Sequence, residues 1–178
     1  MSKTNKFVFT VVKIVAWIIF VGLCIEAGGL IVNFVISLFK PEIVKNLYQK
    51  LDLSDMYQKS KMVYFGMYSF ILFISVLKAV LFYVVIKLVT KINLSKPFNN
   101  FVSSQIFQIC YYTFSIGLLS YIAQKLAKSL LHYGIVTDNL NQFWEGSQGF
   151  ILMAGVIYII AIIFKKGLEI QNENDLTV

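Results

Sequence analysis

Long apolar runs separated by shorter polar segments are the dominant pattern of this sequence. Runs of about 20 apolar residues are typical of helices that cross the roughly 30 Å hydrocarbon core of a bilayer. Backbone polar groups within lipid must be hydrogen-bonded inside the protein, so helices are the expected structure. The pattern therefore predicts an all-α membrane protein with one domain, a four-helix transmembrane bundle. Its spans are predicted at residues 7–39, 62–89, 105–131 and 150–164.

The first apolar run is longer than one crossing requires, and its strongly polar interruptions are Lys13, Glu26 and Asn33. A helix of this length must tilt, protrude from the bilayer or bend. Gly28 and Gly29 are adjacent and fit two alternatives, a bend in the helix or a close approach to a neighbouring helix. The sequence leaves both alternatives open.

The polar segment after the first run, residues 41–61, carries a helical pattern of its own. Apolar residues recur with helical spacing opposite a polar face that includes Lys45 and Lys50, and Pro41 stands at the start. The spacing predicts an amphipathic helix in the first loop, which either lies on the membrane surface or covers the end of the bundle. Its apolar positions are Ile43, Val44, Leu47, Tyr48 and Leu51.

The distribution of lysine predicts the orientation in the membrane. The second loop contains Lys91 and Lys96, and Lys165 and Lys166 follow the fourth run, whereas residues 132–148 contain no lysine. Because cytoplasmic loops are enriched in Lys and Arg, we expect both termini to be cytoplasmic. The first loop argues against this orientation, since it is rich in lysine and external in this scheme.

Composition excludes several classes of protein. Hydrophobic residues make up 58% of the 178 residues and charged residues 14%, and the 16 basic residues, which give a net charge of +7, are all Lys. Without Arg the chain lacks guanidinium groups, which make bidentate hydrogen bonds to bases and phosphates. We therefore expect no direct nucleic-acid binding. Cys24 and Cys110 lie in apolar runs, which indicates neither a disulfide framework nor a zinc site. No catalytic motif occurs in the sequence, so we predict no enzymatic activity, no cofactor and no metal site.

Two ionisable residues inside the predicted spans are the main candidates for a functional site. At about 1.5 Å per residue, Glu26 lies about 20 Å and Lys78 about 24 Å from the ends of their runs at Phe39 and Met62. Ionisable residues within spans usually face the bundle interior or a water-filled cavity. We predict that the two side chains face each other, either as an ion pair that fixes helix register or as a ligand, ion or proton site.

A second polar group occurs near the end of the third run. Gln124, Lys125 and Lys128 lie there, with His132 and Glu145 in the loop that follows. These residues are candidates for an outer polar vestibule. The alternative is that the two lysines extend toward the lipid headgroups as ordinary interfacial residues.

Residues 167–178 form an acidic tail after the last span. Glu169, Glu173 and Asp175 concentrate negative charge there, which suits binding to a basic cytoplasmic partner. A tail that is only solvated does not require apolar side chains, so these residues predict that the tail is a recognition element. The alternative is a solvated helix end. The apolar residues among the acids are Leu168, Ile170, Leu176 and Val178.

Two short segments carry a resemblance to a known family. Lys96, Pro97 and Phe98 in the second loop, and the ending IFKKGLEIQNENDLTV at residues 163–178, are similar to domain-of-unknown-function family 2975 (DUF2975). The resemblance implies a small bacterial four-span protein of the inner, cytoplasmic membrane. It further implies a two-gene module, in which the membrane protein accompanies a helix-turn-helix regulator.

Pattern and resemblance together favour a regulatory or sensory membrane protein that binds a cytoplasmic partner, such as a helix-turn-helix regulator. The alternative is a small permease or an immunity-type membrane protein that acts through a polar site around Glu26 and Lys78. Four spans without a detectable inverted repeat argue against a complete secondary transporter unless the chain forms a homo-oligomer.

Overall fold

The computed structural model of the chain describes residues 3–93 and 97–175. These residues form six α-helices joined by short 3-10 turns, and no strand occurs among them. The 3-10 turns are Pro41–Lys45, Tyr48–Lys50 and Asp138–Leu140. The helices are α1 Lys3–Phe39, α2 Ser54–Lys59, α3 Lys61–Lys91, α4 Asn100–Leu131, α5 Asn141–Trp144 and α6 Ser147–Asp175.

Four of these helices, α1, α3, α4 and α6, are long and apolar enough to cross a membrane. The chain is therefore an all-helical, multi-pass membrane protein, as predicted. The first two predicted spans match α1 and α3 closely, whereas α4 begins before residue 105. Asn99 Oδ1 accepts a hydrogen bond from Val102 N at 2.9 Å, so a polar cap starts this helix ahead of the apolar run. α6 extends beyond residues 150–164 at both ends because polar residues continue the helix.

The four long helices pack in the order of the chain. α1 packs against α3, α3 against α4, and α4 against α6; among the described residues no other pair of the four is in extensive contact. Burial follows this order, since 39% of the most apolar segment of α3 and of α4 is buried, but only 6% of that of α1 and 17% of that of α6. The four helices thus form an open row and not a closed bundle, with α1 and α6 largely exposed to lipid.

Small residues set the distance between α4 and α6. A Cβ atom added to Gly117 would lie 2.8 Å from Ile151 Cγ1 and 2.9 Å from Ile151 N. The Cys110 thiol donates a hydrogen bond to Ala154 O at 3.3 Å. Small side chains at these positions let the two backbones approach closely, as is common between membrane helices.

An aromatic cluster joins α1 to α3 at one end of the row. The ring centroid of Phe34 lies 5.3 Å from that of Tyr68 and 5.8 Å from that of Phe65. The buried Tyr68 hydroxyl donates a hydrogen bond to Leu30 O at 3.1 Å. Each aromatic pair adds about 0.5–1.5 kcal/mol beyond the burial of its area, and the hydrogen bond satisfies a hydroxyl that water does not reach.

Two loops cover the end of the row that carries this cluster. We call residues 40–60 and 132–146 the cap and this end the capped end; the opposite end, where α1 begins and α6 finishes, is the terminal end. Asn139 Nδ2 donates a hydrogen bond to Asp52 O at 3.3 Å, which joins the two loops of the cap. The cap buries its apolar side chains against α1 and α3. These side chains are Val44, Leu47, Leu51, Leu53, Met56, Leu140, Phe143 and Trp144.

The first loop covers the end of the helices, which decides between the two alternatives for the amphipathic segment. It is not one continuous helix, because Gln49 and Lys50 adopt left-handed φ angles of +57° and +59° and reverse the chain. Leu47 N donates to Leu51 O at 2.9 Å across this reversal. The apolar positions do point inward as their spacing predicts, but two 3-10 turns and α2 bring them there.

The glycine pair in α1 shows a close approach and not a bend. A Cβ atom added to Gly29 would lie 2.5 Å from the Tyr48 ring, whereas one added to Gly28 meets nothing within 4 Å. α1 runs without interruption through both positions. The neighbour that requires the glycine is therefore the first loop and not another helix.

Candidate functional site

The fourth span contains a break inside the row of helices. α5 ends at Trp144, Glu145 adopts an extended ψ of 140° and Gly146 a left-handed φ of +80°, and α6 then begins at Ser147. Ile151, one turn into α6, packs on Gly117 near the middle of α4, so the break lies within the depth of the row. Non-helical backbone at such depth is tolerated only where protein or a wet cavity satisfies its polar groups.

Lys78 satisfies one of the groups that the break exposes. It lies near the middle of α3, and its Nζ donates a hydrogen bond to Phe143 O at 3.3 Å. In an uninterrupted helix this carbonyl would accept from the N–H of Ser147, four residues onward, but the chain turns away at Gly146. The lysine therefore caps the last turn of α5, a place where cations are favoured.

Glu26 lies near Lys78 without touching it. The carboxylate of Glu26, half-buried on α1, is within electrostatic range of the Lys78 ammonium. In the part of the chain that the structure describes, however, no direct ion pair joins them, because the ammonium is directed to Phe143 O. The structure places the two charged groups near each other but not in contact. Whether they form a ligand or proton site stays a prediction.

An apolar groove begins one helical turn from Lys78, on the side toward the terminal end. It lies between α3, α4 and α6 and has a volume of about 560 Å³. The hydroxyl of Thr113 in its wall is already bonded to Ile109 O at 2.7 Å, so the wall offers little to a polar solute. Lipid chains suit such a surface. The lining residues are Leu81, Phe82, Val85, Ile109, Thr113, Gly146, Gly149, Phe150, Met153 and Ile157.

The residues expected in an outer vestibule lie on the surface of α4. Lys125 and Lys128 are exposed, Gln124 is half-buried, and the Lys125 ammonium lies 5.4 Å from the centre of the Tyr121 ring. The Lys125 side chain therefore lies back along its own helix, where its ammonium makes a cation–π contact with an aromatic ring. The structure does not bring them together with Lys78.

A polar cleft opens instead within the cap, between its two loops. Its volume is about 370 Å³, and its walls come from segments almost ninety residues apart in the sequence. Two successive residues in one wall, Gln49 and Lys50, hold the strained left-handed backbone. The complete lining is Gln49, Lys50, Leu51, Asp138, Asn139 and Gln142.

The acidic tail continues α6 as a helix as far as Asp175. Lys166 Nζ lies 3.1 Å from Glu169 Oε2, so part of the negative charge is paired with the basic residues beside it. Glu173 is exposed. Leu176 and Val178, two of the apolar residues of the predicted recognition element, lie outside the described residues, as does Lys96.

The two segments that carry the family resemblance pack against each other. The ring centroid of Phe98 lies 4.8 Å from that of Phe164 on α6. A Cβ atom at Gly167 would lie 2.7 Å from the Phe98 ring, so this glycine admits the ring against the helix. The second loop thus anchors α6 at the terminal end, directly before the tail.

Sequence reasoning missed both the break and the cleft. A signal for the break was present, because glycine commonly ends a helix and Gly146 is followed by Ser147, a residue type that commonly starts one. The cleft had no comparable signal, since Lys50 and Asp138 approach each other only through the tertiary structure.

Comparison of the chain with protein-family models, curated proteins and solved structures found no match. Membership of domain-of-unknown-function family 2975 therefore stays a prediction. Support for a function comes from the geometry of the break, the cleft and the tail.

Proposed function

We propose that this protein is a regulatory or sensory membrane protein that passes a conformational signal from the cap to a partner protein at the end of α6. The observation that carries the proposal is the continuity of α6. This helix begins at Ser147, directly after the break, and continues without interruption through the acidic tail to Asp175. A continuous helix moves as a unit, so a displacement at the break reaches the tail.

The break supplies a pivot for such a movement. Gly146 joins α5, which belongs to the cap, to α6, which packs extensively on α4 alone among the long helices. Hinges are commonly a few residues at the ends of elements that absorb changes in φ and ψ. The hydrogen bond from Lys78 to Phe143 O holds α5 in the observed position, and its loss would release the cap side of the pivot.

The end of α6 supplies a surface for a partner. About 16 Å of helix extends beyond Phe164, and it presents Glu173 and the exposed side chain of Ile170. The positive-inside rule places this end in the cytoplasm, because Lys165 and Lys166 stand directly before it. A basic regulator of the helix-turn-helix class, in a bacterial inner membrane setting, agrees with the resemblance to family 2975.

A crosslinking experiment tests the partner surface. With a photo-crosslinking amino acid at Ile170, we expect an adduct with one soluble protein that weakens as salt is raised and with the Glu169→Gln, Glu173→Gln variant. The matched control places the same amino acid at Ile159, whose side chain is 62% exposed on the lipid-facing part of α6. Adducts that are identical at both sites, or none at Ile170, would refute the proposed partner surface.

The transport alternative receives less support. A permease working through Glu26 and Lys78 needs a polar path from those residues to the terminal end, and the groove that starts beside Lys78 has apolar walls. Reconstituted protein in liposomes tests this directly. Proton flux across the vesicle membrane that is lost in Lys78→Met would favour the alternative over the sensory function.

A further inference from the structure

We infer that the polar cleft of the cap binds a small zwitterion of amino-acid size, with an ammonium group on one wall and a carboxylate on the other. The cleft lies between Gln49–Leu51 of the first loop and Asp138–Gln142 of the third. This inference rests on the proposed sensory function, for which it names the chemical class of the signal. Its volume of about 370 Å³ is within the range of about 300–1,000 Å³ that is usual for small-ligand sites.

The wall from the third loop offers hydrogen-bond acceptors. One amide N–H of Asn139 is bonded to Asp52 O, and one of Gln142 is bonded to Asn139 O, each at 3.3 Å. Each bond uses one of the two N–H donors of its amide and leaves the side-chain oxygen as an acceptor. Together with the Asp138 carboxylate, these side-chain oxygens form a set that suits a ligand ammonium.

The opposite wall offers the complementary charge. Lys50 and the amide of Gln49 are donors, and their backbone is held in the left-handed region by the Leu47 to Leu51 hydrogen bond. Within the described residues, Lys50 and Asp138 both lie outside the ion pairs of the chain, which join Lys59 to Asp55 and Lys166 to Glu169.

The separation of charge selects the class of ligand. A simple anion would meet the Asp138 side of the cleft, and a simple cation would meet Lys50, so each would gain one favourable contact and one repulsive one. A zwitterion neutralises both walls at once. A free α-amino acid is the smallest common molecule that carries both groups.

Binding in the cleft has a direct route to the pivot. Residues Asp138–Leu140 form a 3-10 turn that leads into α5, and α5 ends at the break before Gly146. A ligand that draws the two walls together pulls on α5 relative to the first loop. The hydrogen bond from Asn139 to Asp52 already marks the direction of that closure.

The experiment uses the full chain, purified in a non-ionic detergent, with Trp17→Phe so that Trp144 is the remaining tryptophan. Trp144 Nε1 is hydrogen-bonded to Asn141 Oδ1 at 3.3 Å, beside the cleft residue Gln142, so its fluorescence reports on α5. The probes are the common free L-amino acids, added singly up to millimolar concentrations. We expect at least one of them to change the fluorescence saturably.

Matched variants locate the binding. Asp138→Asn and Lys50→Gln should each weaken the binding of that amino acid by about ten- to a hundredfold, because each removes a charged hydrogen-bond partner. Glu42→Gln and Lys45→Gln change the same charges in the first loop outside the cleft lining and should leave affinity unchanged. The N-acetylated and the decarboxylated forms of the amino acid each lack one charge. Each should bind about ten- to a hundredfold more weakly than the amino acid itself.

Three results would overturn the inference: no saturable response to any amino acid, equal binding of the decarboxylated form, or equal affinity in Asp138→Asn and wild type. The assay contains no partner protein and reads only the cap. Failure of the inference is therefore distinguishable from failure of the proposed function, which the crosslink at Ile170 tests independently.

Discussion

The capped end and the terminal end of the helix row differ in how completely they are packed. At the capped end, Tyr64, Ile71 and Trp144 are almost fully inaccessible within one large apolar cluster. Toward the terminal end the groove between α3 and α6 is open, and the apolar cluster there, around Val102 and Ala161, is much smaller. The comparison separates a firmly packed region from one in which α6 packs on α4 but is open on the side that faces α3.

The lengths of the connections account for this difference. Two long loops, residues 40–60 and 132–146, return to the capped end, and their apolar side chains fill the space beside α1 and α3. The single connection at the terminal end, residues 92–99, is short, and among its described residues Ile92 and Phe98 take part in the apolar packing. An open row of four helices cannot bury all its faces, so the end with more loop residues is the end that is closed.

The largest expected effect comes from truncating a buried side chain at the capped end. Ile71→Ala should lower the free energy of unfolding by about 2–5 kcal/mol, because Ile71 is fully buried and its removal leaves a cavity. The matched change Ile159→Ala, at a side chain 62% exposed on α6, should stay within about 0.5 kcal/mol. Unfolding in mixed micelles, followed by helical circular dichroism, measures both. Equal losses would mean that the two ends are packed alike.

A second pair of variants tests how α1 is held by the cap. Gly29→Ala should destabilise the protein by about 1–3 kcal/mol, since the new methyl group would collide with the Tyr48 ring. Gly28→Ala places the same methyl group in open space and should be neutral or stabilising by up to about 1 kcal/mol, because alanine favours helix. The same unfolding assay applies. A reversal of the order would show that the first loop does not rest on α1.

Hydropathy was enough to predict the four membrane helices, because lipid imposes one requirement on every span. The fourth predicted span, residues 150–164, was short for a bilayer, and this shortfall has a physical explanation in the structure. Residues Asp138–Trp144 provide the missing length on the far side of a break. The sequence pattern predicts a loop at residues 132–148, and Gly146, a residue typical of turns, is compatible with that prediction.

The candidate site was less predictable than the fold. Depth along each helix brought Glu26 near Lys78, but depth does not specify which way a flexible lysine side chain points. The partner that Lys78 has, the carbonyl of Phe143, exists only because α5 ends there. Side-chain partners created by a backbone irregularity cannot be deduced from periodicity, which assumes regular helices.

A smaller effect should come from the hydrogen bond that joins α1 to α3 at the capped end. Tyr68→Phe removes the donor to Leu30 O and should cost about 0.5–1.5 kcal/mol. Tyr83→Phe, on the same helix toward the terminal end and 49% exposed, is the matched control and should cost less. If Tyr83→Phe were the more costly change, hydrogen bonding would not contribute to the greater stability of the capped end.

The smallest expected effect tests whether the cap is exposed to bulk water, unlike the helices that it covers. Hydrogen bonds from the hydroxyl and the backbone N–H of Ser54 lower the pKa of Asp52 below its ordinary value. Because the folded pKa is the lower one, the stabilisation is complete above the unfolded value of about 3.9 and disappears as pH falls through the folded pKa.

Asp52→Asn should therefore be slightly less stable than wild type at neutral pH, with the difference closing below about pH 4. The magnitude is small because the Asp52 side chain is exposed. Ser54→Ala removes the hydroxyl donor and should reduce the pH dependence in the same window. The measurement is the unfolding midpoint of all three proteins between neutral and acidic pH. If the difference in stability between Asp52→Asn and wild type widened on acidification, the predicted direction of the pH dependence would be wrong. The electrostatic stabilisation of the cap would then come from a group other than Asp52.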